Sequence, residues 1–197
     1  MRKDKDGSWF ISSRECSSCQ RVVLHLCRAD AWNGGRPQTV LEVHLIRPRG
    51  SSRPPCPPQV AANIAEDYKE ASLVLPDSAK ASAALSRRCL QNLLREKAGV
   101  KPGNLADEIQ QVIDSGKLPS HLSESIDAIR NIGNFSAHPM KSKSTGEIVP
   151  IEPHEAEWNL DVLESLFDFY YVQPALLEAK RDALNKKLAE TGKPAMK

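Results

Sequence analysis

Arg130, Asn131, Asn134 and His138 fall within one stretch, IRNIGNFSAHP (Ile129 to Pro139). Their side-chain types suit a phosphodiester. A guanidinium stays charged at every relevant pH and presents a planar fork of N–H donors matched to phosphate oxygens. An imidazole with an ordinary pKa of about 6.5 both takes and gives a proton near neutrality. An amide from Asn131 or Asn134 can donate to a non-bridging oxygen as charge builds there. Together these groups suffice for attack of an RNA 2′-hydroxyl on its own phosphodiester, a reaction that requires no metal or other cofactor.

Spacing restricts that chemistry. On one straight helix, residues 130 and 138 would stand about 12 Å apart along the axis. Pro139 disfavours helical geometry at His138, and Gly133-Asn134 offers an earlier breaking point. A turn that folds back, or a second copy of the chain, is therefore expected to bring the two side chains together. Non-catalytic roles compete. Arg130 can bond terminal helix carbonyls or pair with an acidic neighbour, His138 can cap a helix end, and Gly133 can serve close helix packing.

A second chemical signal is CSSC, Cys16 to Cys19. Thiolates at this spacing grip one face of a tetrahedral zinc ion. His25, Cys27 and Cys56 are the candidates to complete a degenerate zinc ribbon, since no second Cys-x-x-Cys follows. The alternative is a pair of unligated thiols. Cys89 lies on an apolar helical stripe and reads as core. His44, His121 and His154 stand singly and read as surface or capping residues. Trp9, Trp32 and Trp158 are too scattered for a base-stacking platform. No phosphate-binding glycine loop is present, so no nucleotide cofactor is expected.

The elements that must position these residues change character along the chain. VVLHL (Val22 to Leu26) and TVLEVHLI (Thr39 to Ile46) read as strands, with NGGRP supplying the turn chemistry between them. RPRGSSRPPCPP (Arg47 to Pro58) reads as a linker or a strapped-down loop. Helical spacing follows at Val60, Ile64, Tyr68, Ala71 and Leu75, until Pro76 stops it. Asp77 is placed as the N-cap of a second helix running from Ser78 to Ala98, and Gly99 as its C-terminal cap. Asn104 and Ser120 cap a third and a fourth helix. A fifth, apolar at Leu160, Leu163, Leu166, Phe167 and Tyr170, is expected to break or kink at Pro174 and continue as a charged helix toward Leu188. The expected fold is mainly α: a bundle of five to six helices, residues 54–190, with a small β or zinc-ribbon-like element over residues 1–53 and a disordered tail at 191–197.

Charge divides the same way. Residues 1–58 hold ten Lys/Arg against five Asp/Glu, and the remainder seventeen against twenty. A basic front is compatible with nucleic acid, although charge alone favours an ordinary solvated surface. No run approaches the ~18 consecutive apolar residues of a membrane span, so no membrane partner is expected. The start, MRKDKDGSWF, lacks the apolar stretch of a secretory signal. Five cysteines without a disulfide framework point to a reducing, cytoplasmic location.

From Asp67 onward three blocks occur in order: DYKEASLVLPDSAKASAALSRRCLQNLLREK, GNLADEIQQVIDSGKLP and IDAIRNIGNFSAHP. This order resembles the prokaryotic domain of unknown function 4145, regarded as a branch of the HEPN superfamily of helical bundles. The resemblance implies a homodimer and a metal-independent endoribonuclease or RNA-binding domain. It also implies a role in phage defence or a toxin–antitoxin stress response, with a defence-system or antitoxin protein as partner. It assigns Arg130 as the motif Arg, Asn131 as its polar follower and His138 as the motif His. The seven residues between Arg130 and His138 exceed the family's usual interval. Two other readings stay open, a non-catalytic dimerisation or interaction module and a zinc-containing nucleic-acid-binding adaptor.

Overall fold

The computed structural model describes residues 2–33, 35–51, 53–137 and 153–196; side chains are described for these except Trp32 and 131–137. The chain divides into two compact units, Met1–Ser52 and Arg53–Lys197.

The first unit is built on a four-stranded antiparallel sheet in the order β1 (Arg2–Asp4), β2 (Gly7–Glu15), β3 (Val22–Ala29), β6 (Val40–Arg47). β4 (Trp32–Asn33) and β5 (Arg36–Pro37) form a miniature ladder where the sequence suggested only a turn. β1 and β2 carry too many charged and hydroxyl residues to show an apolar run, and they hold their place by pairing, β2 with β3 and β1 with β2. One row across the sheet joins Trp9, Arg28 and Glu42, with Arg28 Nε donating to Glu42 Oε1 at 3.0 Å. The next row joins Phe10, Cys27 and Val43, and there Cys27 is buried.

The second unit is helical. α1 (Ala62–Val74), α2 (Ala79–Leu93), α3 (Leu105–Asp114), α4 (Ser120–Ala137), α5 (Pro153–Phe167) and α6 (Gln173–Glu190) are its α-helices among the described residues. Ile64, Leu90, Leu93, Ile109, Ile126, Leu160 and Leu163 form its core, with Tyr68 edge-on to Phe167 at 5.4 Å. The proline-rich approach is strapped to this unit: Arg53 Nε donates to Glu164 Oε1 at 2.9 Å, and the Tyr68 hydroxyl donates to the Pro54 carbonyl at 3.0 Å.

Local chemistry corrects three sequence expectations. The N-cap of α2 is Ser78, not Asp77: Ser78 Oγ accepts from the Ala81 N–H at 3.2 Å. The chain does not break at Gly133-Asn134; α4 continues to Ala137. A helix already anchored by buried Ile126 and Ile129 can propagate through one glycine, which costs only about 1 kcal/mol. The interruption after α5 precedes Pro174. Because Pro174 has no N–H for the Tyr170 carbonyl, the ladder widens into a π turn at Asp168–Val172, and Gln173 N–H bonds Asp168 O instead. A matching π turn, Leu94–Ala98, ends α2 at left-handed Gly99. The two π turns touch: Tyr171 Oη donates to Glu96 Oε1 at 3.0 Å, and Lys97 Nζ lies 4.3 Å from the Tyr171 ring centre.

At the end of the chain Gly192 takes the left-handed conformation, and Lys193 N–H bonds Leu188 O at 2.9 Å. Together these close α6 with a Schellman cap.

The most concentrated polar contact joins α2 to α3. Glu108 is fully buried, and its Oε1 accepts from Gln91 Nε2 (3.1 Å), Arg95 Nε (2.9 Å), Arg95 Nη2 (2.6 Å) and the Gly103 N–H (2.7 Å). Glu108→Ala is expected to lower stability by about 3 kcal/mol, since it strips the buried partner from Arg95 and from the Gly103 N–H that holds the loop into α3. Urea denaturation followed by circular dichroism measures this, and an unchanged midpoint would show the contact to be dispensable.

Candidate functional site

α4 presents Arg130 in its third turn, beyond Ile126 and Ile129, which face the core. Two neighbours orient the guanidinium. Nη1 donates to Gln110 Oε1 of α3, and Nη2 lies 2.6 Å from Asp127 Oδ1, three residues back on α4. The Gln110 contact uses one of the five N–H donors of the fork, and the Asp127 contact is an ion pair. The acidic-neighbour role anticipated for Arg130 is thus present, and it is compatible with presenting the fork.

A second arginine meets the same turn of α4. Arg87 projects from α2 and donates from Nη1 to the Ile129 carbonyl at 3.3 Å. It is half-buried, and among the described residues no ion pair joins it to a carboxylate. Burial lowers its pKa, yet a guanidinium does not lose its proton in a protein, so the desolvated charge persists. Its chain neighbour Arg88 is different. Arg88 Nε donates to buried Asp67 Oδ1 at 3.0 Å, and Glu70 lies 3.7 Å away. Two adjacent arginines therefore do different work. One neutralises a buried carboxylate, while the other, among the described residues, has no carboxylate partner beside Arg130's turn.

Sequence reasoning overlooked Arg87. Its signal was readable, since Arg87, Leu90 and Leu94 follow the three- and four-residue spacing of an apolar stripe, and a cation in such a stripe is out of pattern. Asn131 and Asn134 sit in the last turns of α4, with side chains outside the described set, and His138 lies outside the described residues. The structure thus places Arg130 and adds Arg87, while the geometry between Arg130 and His138 falls beyond the described residues.

Cys16 and Cys19 share the turn joining β2 to β3, outside this helical site. Two of the ligands considered for completing a zinc ribbon lie away from that turn. From the closing Glu15–Val22 pair, His25 and Cys27 stand about 10 Å and 16 Å farther along β3. Cys56 belongs to the helical unit and packs against its core. No cluster of three or more His, Cys, Asp or Glu suited to a metal ion occurs among the described residues.

An open groove of about 680 Å³ on the helical unit is lined by His121 together with Asp161, Glu164 and Asp168. Its acidic rim suits no phosphate. No helix among the described residues is long and apolar enough to cross a membrane.

The profile of the family described as Domain of unknown function (DUF4145) matches residues 69–187, a span that holds both Arg87 and Arg130. No curated protein and no solved structure matches the chain.

If Arg87 serves a ligand and not the fold, Arg87→Met should change stability by no more than about 1 kcal/mol, because it removes a desolvated charge bearing one long hydrogen bond. Arg88→Met should cost about 2 kcal/mol, since it leaves buried Asp67 with Asn92 as its remaining partner. Parallel urea titrations compare the two, and the opposite ranking would make Arg87 a structural residue.

Proposed function

Because the chain belongs to the DUF4145 family, we propose that it is an HEPN-like domain that binds RNA and cleaves it without metal, within a bacterial defence or toxin-type stress response. The observation that carries this reading is the pair of guanidinium groups at one turn of α4, Arg130 oriented by Gln110 and Asp127 and Arg87 held half-buried with no carboxylate partner among the described residues. Two such cations beside a polar Asn131/Asn134 segment favour a phosphate. In this mechanism Arg130 grips the scissile phosphate and Arg87 the neighbouring backbone charge. Asn131 and Asn134 orient the substrate, and His138 moves the proton between the 2′-hydroxyl and the leaving oxygen. A defence-system or antitoxin protein would restrain the activity. The HEPN assignment and the biological setting rest on resemblance.

Incubation of the full chain with a mixed RNA pool in EDTA tests this. Cleavage should persist with chelator and leave 2′,3′-cyclic or 3′-phosphate ends. His138→Ala should slow it by roughly 10²- to 10⁴-fold. Arg130→Lys should also be severely impaired, because an ammonium keeps the charge and loses the fork. Arg87→Gln should weaken RNA binding and flatten its salt dependence by about one phosphate contact. Unchanged cleavage in His138→Ala would end the proposed mechanism.

A second reading, a non-catalytic homodimerisation module, is favoured by α6. This helix has no buried residue, and Leu177 and Leu184, a heptad apart, are 64% and 50% exposed. Light scattering at micromolar concentration should then give twice the 21.8 kDa chain mass, and Leu177→Glu/Leu184→Glu should return it to the monomer. A wild-type monomer would remove this reading together with any active site shared between two copies.

A further inference from the structure

We propose that the N-terminal sheet carries a pocket for a guanine base, taken from a free nucleotide or from single-stranded RNA. The pocket belongs to the first unit and uses none of the groups at α4. Strand register places Arg2 of β1, Trp9 of β2, Arg28 of β3 and Glu42 of β6 in one row. Their side chains therefore stand on the same face of the sheet. On that face Asp6, Trp9, Arg28 and Glu42 line a cavity of about 340 Å³, within the range of small-molecule sites.

The walls are held before any ligand arrives. Asp4 Oδ1 accepts from the Asp6 N–H at 2.8 Å, the Gly7 N–H at 3.2 Å and Trp9 Nε1 at 3.1 Å. These bonds close the β1–β2 turn and pin the indole by its edge, which leaves ring faces for stacking. His44 flanks the indole near-parallel, at 28° with ring centres 6.3 Å apart, and stands outside the cavity walls. Arg28 is clamped at both ends of its fork. Its Nε donates to Glu42 Oε1 at 3.0 Å and its Nη1 to the Asp6 carbonyl at 2.9 Å. Glu42 Oε2 in turn lies 3.2 Å from His44 Nε2. Asp6 serves the fold through its backbone N–H and carbonyl, and its carboxylate makes no hydrogen bond or ion pair among the described residues.

This mixture of groups selects the ligand. A phosphate in the cavity would meet the Asp6 and Glu42 carboxylates, and an organic cation would meet the Arg28 guanidinium. A flat neutral ring with donors on one edge and acceptors on the next satisfies both. Guanine is such a ring: N1–H and the N2 amino group donate to a carboxylate, and O6 and N7 accept from a guanidinium. Asp6 thus reads the donor edge, Arg28 reads O6 and N7, and Trp9 stacks on the base. Asp4 and Glu42 are positioning residues. Uracil has no amino group to offer. Arg2, beside Trp9 in the row, and an excess of ten Lys/Arg over five Asp/Glu in residues 1–58 supply charge for the attached phosphates.

Fluorescence anisotropy of the full chain with two labelled RNA octamers tests this, one all uridine and one with a single central guanosine. Wild type should bind the guanosine-bearing octamer about tenfold more tightly. Phosphate contacts at α4 add equally to both octamers and cancel in this ratio, so failure of the RNA-cleavage reading leaves the test intact. Trp9→Ala and Asp6→Asn should each bring the ratio to within about twofold. Asp6→Asn removes no side-chain bond of the fold, so it decides the matter even if Trp9→Ala fails to fold. Guanosine and uridine monophosphates then serve as competitors. Displacement by the guanosine nucleotide alone names a free nucleotide as sufficient, and displacement by neither, with the octamer preference intact, names the single strand; both results support the pocket. Equal affinity of wild type for the two octamers, binding of neither, or a guanosine preference that survives Asp6→Asn would overturn it.

Discussion

Glu108 sets the geometry on which the helical unit depends. A carboxylate with no exposed surface is tolerable only when donors surround it, and here four converge on its Oε1. Two come from Arg95 in the π turn after α2, one from Gln91 within α2, and one from the backbone of the loop that leads into α3. The Gly103 carbonyl returns the contact by accepting from Gln91 and Arg95. One helical turn of α3 beyond, Gln111 clamps the same loop through both the N–H and the carbonyl of Lys101. The register of α3 against α2 is therefore fixed by polar bonds as well as by Ile109 and Val112. Gln110, the residue that orients Arg130, lies two positions after Glu108 and inherits that register.

The two π turns extend the same constraint to the far side of the bundle. Each widens a helix by one residue, a local cost that persists when side chains compensate. Tyr171 supplies the compensation, with its ring against Phe167, its hydroxyl on Glu96 and Lys97 over its face. Burial and the Glu96 carboxylate raise the Tyr171 pKa, so the phenol stays a donor. α6 leaves the bundle from this joint, which explains how an 18-residue helix with no buried side chain keeps a defined origin.

Much of the helical order was legible because it rests on local rules. Asn104 caps α3 by accepting from the Asp107 N–H at 3.0 Å, and Gly99 ends the α2 segment in the left-handed conformation. Apolar spacing located the core faces of α1, α2 and α5. What was not legible depends on partners distant in sequence. β1 and β2 lack an apolar signature and exist through pairing. The π turn at Asp168–Val172 arises from a missing N–H two residues downstream of it, and its Tyr171 needs Glu96, 75 residues earlier. Arg130 stood out in the sequence by its motif, whereas its contacts with Gln110 and Asp127 did not. Arg87 was hidden by resembling Arg88, although its alignment with Leu90 and Leu94 marked it.

The contrast between the two adjacent arginines argues for how such a site is maintained. Arg88 answers a cost already inside the fold, the buried Asp67, and folding alone selects for it. Arg87 adds a cost, since its charge is partly desolvated and among the described residues meets only a carbonyl. In the RNA-binding reading proposed above, a residue that weakens the apo fold persists because a bound phosphate, matched in charge and geometry, repays it. Arg130 is cheaper to hold because Gln110 and Asp127 preorganise it before any ligand arrives. In that reading the pair divides the task, with Arg130 supplying direction and Arg87 supplying a charge that no described carboxylate meets.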